Sequence, residues 1–207
     1  MEVDEAISII RRQRQAFAYG IEAVHTLNNA GIGSSEPLKT LPTKTGDEPV
    51  YTSAIINPNT VMSRQLETAT TNQLAMQLLV AVTEPVREVR EYWPEDPEPT
   101  IRFLRLLRNG IAHGNEVSYC GSDPPPNTSW RGFEFTDDIE GETLFTQPNE
   151  YIWDGEQVEL KEGLFESGDA LTLTTDVLEI LIEESDTFDV GNIVGLSHDT
   201  PPEWTEL

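Results

Sequence analysis

Three residues have types and a spacing that suit chemistry: Arg108, Asn109 and His113. Four residues separate Arg108 from His113. An imidazole can give or take a proton near neutral pH, and a guanidinium holds a permanent charge on a fork of donors that matches a phosphate. An amide can orient the phosphate or the imidazole. Together these types suit acid–base chemistry on a phosphodiester. The spacing alone is a weak pattern.

The same residues have an ordinary structural interpretation. His113 would suit a helix C-terminus, Arg108 would pair with one of the 37 acidic residues, and Asn109 would precede a turn. Geometry adds a condition, because five residues on an ideal helix put Arg108 and His113 about 140° apart. Both can face one phosphate only if the backbone loosens near Gly110 or if a second chain completes the site.

Periodic apolar residues predict four helices, of which the third holds these residues. The first spans about 4–29, and Arg14 interrupts its apolar stripe. The second spans about 60–93 and is expected to kink at Pro85, because proline removes a backbone donor. The fourth spans about 174–184.

The third helix has its own start and stop signals. Asp96 is predicted to cap it and Pro97 to begin it, and Gly114 is predicted to end it. The residues expected on its core side are Ile101, Leu104, Leu107 and Ile111.

A β insertion is predicted over about 128–161, between the third and fourth helices. Its short strands are expected at 130–136, 142–146, 151–153 and 157–160. The proline-bearing segment 31–59 is a long connection, and 186–207 is an acidic tail. We therefore predict one domain over 1–185: mainly α, a four-helix bundle with a small β-hairpin insertion before the last helix.

The run RNGIAH at 108–113, late in an amphipathic helix, resembles the signature of HEPN domains. The two upstream helices and a hairpin bearing Trp130 before a last helix extend this resemblance over most of the chain. HEPN domains are up-and-down helical bundles, and many are metal-independent endoribonucleases that act as dimers, often as toxins or antiviral effectors. The resemblance implies an RNA substrate, no cofactor, Arg108, Asn109 and His113 as catalytic residues, and a homodimer with both motifs facing one groove.

The implied reaction fits these residue types. RNA cleavage without a metal needs a base for the 2′-hydroxyl, a cation for the charge on the phosphate oxygens and an acid for the leaving 5′-oxygen. The products would be a 2′,3′-cyclic phosphate and a 5′-hydroxyl. Some HEPN toxins carry a tyrosine two residues after the histidine, associated with an antitoxin, whereas this chain has Asn115, with Tyr119 four residues further on. The subtype that pairs with an antitoxin is therefore not favoured, and an antitoxin or regulatory protein is only one candidate partner.

Two other functions compete with the nuclease. The first is a non-catalytic HEPN-like module that senses RNA or nucleotide, or recruits a protein through its β insertion and acidic tail. The second is a helical interaction protein without a nucleotide role, which is favoured if Arg108 and His113 point into separate environments.

Six of the 13 basic residues occur in two short runs. One is Arg11, Arg12 and Arg14, and the other is Arg102, Arg105 and Arg108 at intervals of three. If both lie beside His113, they are candidates to bind the RNA backbone. Otherwise they balance an acidic surface. For Arg14, which interrupts an apolar stripe, a buried ion pair is a third alternative.

The composition indicates adaptation to high salt. The net charge is −24, and only Lys39, Lys44 and Lys161 are lysines. In molar salt the Debye length shrinks to about 3 Å, which screens repulsion between carboxylates. This composition is similar to that of salt-accumulating halophiles, although an acidic protein from an ordinary cytoplasm is the alternative. Phosphate binding driven by counterion release is weak in molar salt for any protein, so net charge does not exclude RNA.

The remaining signals predict a cytoplasmic protein without a metal. Cys120 is the only cysteine, so an intrachain disulfide and a cysteine zinc site are excluded. The three histidines have no metal-ligand spacing. We expect neither a signal peptide at the N-terminus nor a membrane span, because the longest apolar stretch, 74–82, is too short.

Overall fold

Helices dominate the computed structural model, as their apolar periodicity predicts. It describes residues 1–29, 40–41, 50–51, 64–91, 95–119, 128–148 and 160–185. Within these ranges the helices are α1 (Val3–Asn29), α2 (Arg64–Val89), α3 (Pro99–Ala112) and α4 (Ser167–Glu184). A mainly helical architecture with small two-stranded sheets is therefore confirmed. None of the described helices is long and apolar enough to cross a membrane.

The helix bounds agree with the predictions for α1 and differ most for α4. Pro85 lies inside α2, and residues 60–63 and 92–93, where further helix is predicted, are outside the described ranges. α4 begins seven residues before the predicted Thr174. A capping box starts it, in which the Asp169 carboxylate accepts the backbone N–H of Glu166 at 2.9 Å. The prediction missed this start because a glutamate is an unusual cap.

The start of α3 was predicted two residues too early. Asp96, only 2% exposed, accepts the backbone N–H of Glu98 at 2.9 Å and forms a short ion pair with Arg90, the residue that follows α2. Glu98 is the actual cap and accepts the N–H of Thr100 at 3.3 Å, so that Pro99 is the first helical residue. Asp96 instead fixes the loop between α2 and α3.

The end of α3 has the hydrogen bonds of a Schellman motif. The N–H of Gly114 donates to the Ile111 carbonyl at 3.3 Å, and the N–H of Asn115 donates to the Gly110 carbonyl at 3.0 Å. Gly114 has a φ of 98°, which glycine adopts at little cost. The prediction that Gly114 ends this helix is confirmed.

The β insertion consists of short ladders between α3 and α4. β3 (Ser129–Trp130) pairs with β4 (Phe133–Glu134), and β5 (Gln147–Pro148) pairs with β6 (Leu160–Lys161), both antiparallel. The single strand predicted over 130–136 is wrong, because Arg131 and Gly132 have φ values of 48° and 85° and form a tight turn.

Other predicted strands have mixed outcomes. The segment 142–146 forms only isolated bridges, Glu116 with Thr143 and Phe145 with Phe165. Residues 151–159 lie outside the described ranges. In the connection 31–59, β1 (Thr40–Leu41) pairs antiparallel with β2 (Val50–Tyr51).

One core joins the helices to the insertion. α2 packs against α1, α3 and α4, and α4 also contacts α1 and α3. Phe103 of α3 is fully buried, with its ring centroid 5.5 Å from Trp130 and 4.9 Å from Phe135. The insertion therefore shares the core of α3 and fixes the helix that carries the candidate site.

Candidate functional site

α3 is continuous through the segment predicted to carry chemistry. The helix includes Gly110 and ends at Ala112, and the N–H of His113 still donates to the Asn109 carbonyl at 3.0 Å. The backbone therefore does not loosen near Gly110, and that alternative is wrong. The divergence of about 140° between Arg108 and His113 remains.

Gly110 is present for packing rather than for flexibility. A Cβ at this position would lie 2.5 Å from the carbonyl oxygen of Glu116 and would also overlap Cδ1 of Leu144. The chain after α3 folds back across this glycine, since the Glu116 N–H donates to the Gly110 carbonyl at 3.2 Å. The close approach holds the segment beyond His113 against the helix.

Arg108 lies at the border between α3 and α2. Its side chain is 36% exposed, and its Nη2 is 3.8 Å from Oε1 of Glu84. Glu84 also forms a 2.6 Å pair with Arg87, one turn later on α2. A pair this long and this exposed adds little stability. No local sequence pattern links Glu84 to Arg108, which lies 24 positions further along the chain.

Asn109 and His113 lie together on α3. Because the His113 N–H keeps the ordinary helical hydrogen bond to the Asn109 carbonyl, the His113 Cα stays on the helix, one turn after Asn109. Asn109 is partly exposed and His113, the C-cap residue, is exposed, so both are accessible at this end of the helix. The structure thus groups Asn109 with His113, while Arg108 faces Glu84.

The arginines predicted to bind RNA have different environments. Arg102 donates to the backbone carbonyls of Asp96 at 2.9 Å and Pro97 at 3.5 Å, which anchors the start of α3. Arg105 is partly exposed. Arg11 is partly exposed and Arg12 exposed on α1, which packs on α2 and α4.

Arg14 is buried between α1 and α4. It is 6% exposed, and its Nη2 donates to Oγ1 of Thr175 at 2.7 Å. Burial lowers the pKa of Arg14, against the opposing charge of Glu179 and with a smaller contribution from Arg11. Burial was one of the predicted alternatives, but the hydrogen-bond partner is a hydroxyl. Arg14 therefore has a structural position that does not suit contact with RNA.

Asn115 and Tyr119 both have structural roles. Asn115 is 4% exposed with a φ of 67°, and its side chain donates to the Phe145 carbonyl at 2.7 Å and accepts the Phe145 N–H at 3.0 Å. The Tyr119 hydroxyl donates to the Thr136 carbonyl at 2.5 Å. Burial raises the pKa of Tyr119 to about 12, with Glu140 and two aspartates adding. Residue 115 is not a tyrosine, and the Tyr119 hydroxyl is bound to a backbone carbonyl. Neither position therefore offers a tyrosine for modification beside His113.

In the part of the chain that the structure describes, no three or more His, Cys, Asp or Glu side chains converge in a group that could hold a metal ion. Cys120 and His198 lie outside this part. No protein-family model, curated protein or solved structure matches the chain. Any proposed function therefore has to rest on the positions of the polar residues of α3.

Proposed function

We propose that the protein is a metal-independent endoribonuclease of the HEPN type, built on a four-helix bundle. One observation supports this function most directly: an exposed imidazole stands one turn from an amide at the end of a continuous helix that also carries partly exposed arginines. In a chain of net charge −24, positive groups beside an exposed histidine favour an anionic substrate. His113 would transfer the proton, Arg108 would stabilise the phosphate charge and Asn109 would orient the imidazole.

The angle between Arg108 and His113 favours a site shared by two copies. Because α3 is continuous, the two side chains of one copy diverge by about 140°. A two-fold axis beside α3 would bring Arg108 of one copy toward His113 of the other, since such an interface presents the same surface from both sides. Val80 of α2, one turn before Glu84, is among the few exposed large apolar residues described and would suit this interface.

The proposed activity is tested by incubating the purified protein with a labelled RNA in concentrated KCl with EDTA. We expect cleavage that EDTA does not affect, and products ending in a 2′,3′-cyclic phosphate and a 5′-hydroxyl. Loss of cleavage in EDTA, or 3′-hydroxyl ends, would contradict the proposed chemistry. If RNA binds but is never cut, the non-catalytic RNA-sensing module replaces the nuclease.

The shared site predicts a homodimer. Light scattering in high salt should report about twice the chain mass of 23.2 kDa. A mixture of His113→Ala and Arg108→Ala proteins, each inactive alone, should recover up to about a quarter of the wild-type activity, because hybrid dimers keep one intact pair. A monomer that cuts RNA, or a mixture that stays inactive after subunit exchange, would refute the shared site.

A further inference from the structure

We infer that Arg14 binds a chloride ion, or a halide of similar size, in the contact between α1 and α4. This inference does not depend on the proposed nuclease, because Arg14 belongs to α1 whereas the candidate site belongs to α3. It gives a function to a buried charge that RNA binding does not explain.

Arg14 is a buried charge without an ion pair in the part of the chain that the structure describes. The residue is 6% exposed, and its Nε is buried there without a hydrogen-bond partner. Its Nη2 donates to Oγ1 of Thr175, but a hydroxyl carries no charge. None of the ion pairs among the described residues includes Arg14. A guanidinium keeps its proton, and a buried charge without a counter-ion is strongly unfavourable.

The charges near Arg14 leave it incompletely neutralised. Arg11, one turn earlier on α1, brings a second positive charge to the same side of the helix, and like charges at this spacing repel. Burial lowers the pKa of Arg14, Glu179 raises it by a smaller amount, and Arg11 lowers it further. Glu179 is exposed, and its charge also raises the pKa of Arg131, after the larger effect of Asp176. Glu179 therefore acts on two arginines from a distance and is not a dedicated counter-ion for Arg14.

These surroundings suit a small anion with a single charge. Arg14 lies between two packed helices and is too buried for an RNA strand to reach it. The Thr175 hydroxyl donates to the Leu171 carbonyl at 2.8 Å, so the donors left for a ligand are the N–H groups of the guanidinium. A halide accepts such donors from any direction. Even a weak site, with a Kd on the order of 0.1 M, is filled in the molar KCl that the composition predicts.

The inference is tested on the full chain with Arg14→Met and, as a control with the same change of charge, Arg12→Met. Replacement of a buried charge by an apolar side chain is often tolerated, and Arg12 is exposed on the same helix. Tm is measured across a KCl series and a KF series. Fluoride holds its water more strongly than chloride and enters a partly dry site less readily. The NMR line width of the chloride ion reports binding directly.

We expect the difference in Tm between the wild type and Arg14→Met to widen by about 2 to 4 °C when KCl reaches about five times the Kd. The physical reason is that an ion which binds only the folded protein stabilises it by mass action. The difference should hardly change in KF. The wild type should broaden the chloride resonance more than Arg14→Met does, and bromide should remove this excess. Arg12→Met should match the wild type in both measurements.

Glu179→Gln distinguishes the anion from Glu179 as the counter-ion of Arg14. Because Glu179 repels an anion, its replacement should make the chloride response begin at lower KCl. If Glu179→Gln instead lowers Tm equally at every KCl concentration, Glu179 is the counter-ion and the inference is overturned. An Arg14→Met protein with the wild-type response to KCl and the wild-type line width would also overturn it. If Arg14→Met does not fold, the Glu179→Gln series and the competition by bromide decide the question.

Discussion

Replacement of His113 by alanine is expected to abolish RNA cleavage and to leave the protein as stable as the wild type. The imidazole is exposed at the end of α3, and the hydrogen bonds that end the helix there come from the backbone. Its removal therefore costs little packing. Loss of a positioned acid or base typically slows a reaction by about 10² to 10⁴, which a gel assay resolves easily. Thermal melts of the same samples would check the folding.

The neighbouring substitutions should have graded effects. Arg108→Ala should nearly abolish cleavage, because it removes the charge that stabilises the transition state, whereas Asn109→Ala should be milder because it removes only orientation. His25→Ala is a matched control, since His25 is an α1 histidine with a side chain 66% exposed, beside Glu67. A His113→Ala protein that cuts as well as wild type, or a His25→Ala protein that does not cut, would show that the catalytic residue is misassigned.

The sequence is sufficient to find the helix of the site but not the directions of its side chains. Apolar periodicity predicts α1 to α3 because each buries one stripe. The contact of Arg108 with Glu84 depends on how α2 packs on α3, and no local pattern encodes that packing. The same holds for Asn115, whose partner Phe145 is 30 residues later in the insertion. Side-chain roles that depend on distant segments were accordingly missed.

The starts of α3 and α4 show a second limit to what the sequence predicts. The Asp96-Pro97-Glu98 sequence predicts a cap at Asp96, but the ion pair with Arg90 binds that carboxylate and the helix begins later. The cap of α4 is Glu166, in place of the serine, threonine, aspartate or asparagine that usually caps a helix, so its start is not evident from the sequence. A contact outside the local pattern therefore decides where α3 begins, whereas a local but unusual cap decides where α4 begins.

Gly110 gives the sharpest disagreement between local propensity and packing. Glycine inside a helix costs about 1 kcal/mol relative to alanine, so propensity alone predicts that Gly110→Ala stabilises the protein. The structure predicts the opposite, because the new Cβ would lie 2.5 Å from the carbonyl oxygen of Glu116 and would overlap Leu144. A backbone oxygen cannot rotate away as a side chain can. Overpacking of a core costs about 1 to 3 kcal/mol and occasionally more, and here the upper part of that range applies.

We therefore expect Gly110→Ala to lower the free energy of unfolding by about 2 kcal/mol after the gain in propensity, and Tm by about 4 to 8 °C for a protein of this size. The matched control is Gly168→Ala in α4, where a Cβ would meet nothing within 4 Å. That variant should be unchanged or slightly more stable in the same melts. A Gly110→Ala protein at least as stable as wild type would mean that the Glu116 segment moves aside at little cost. If it is destabilised as expected, the folded variant should also cut RNA poorly, because the segment that packs on Gly110 directly follows His113 and fixes the end of the helix that carries it.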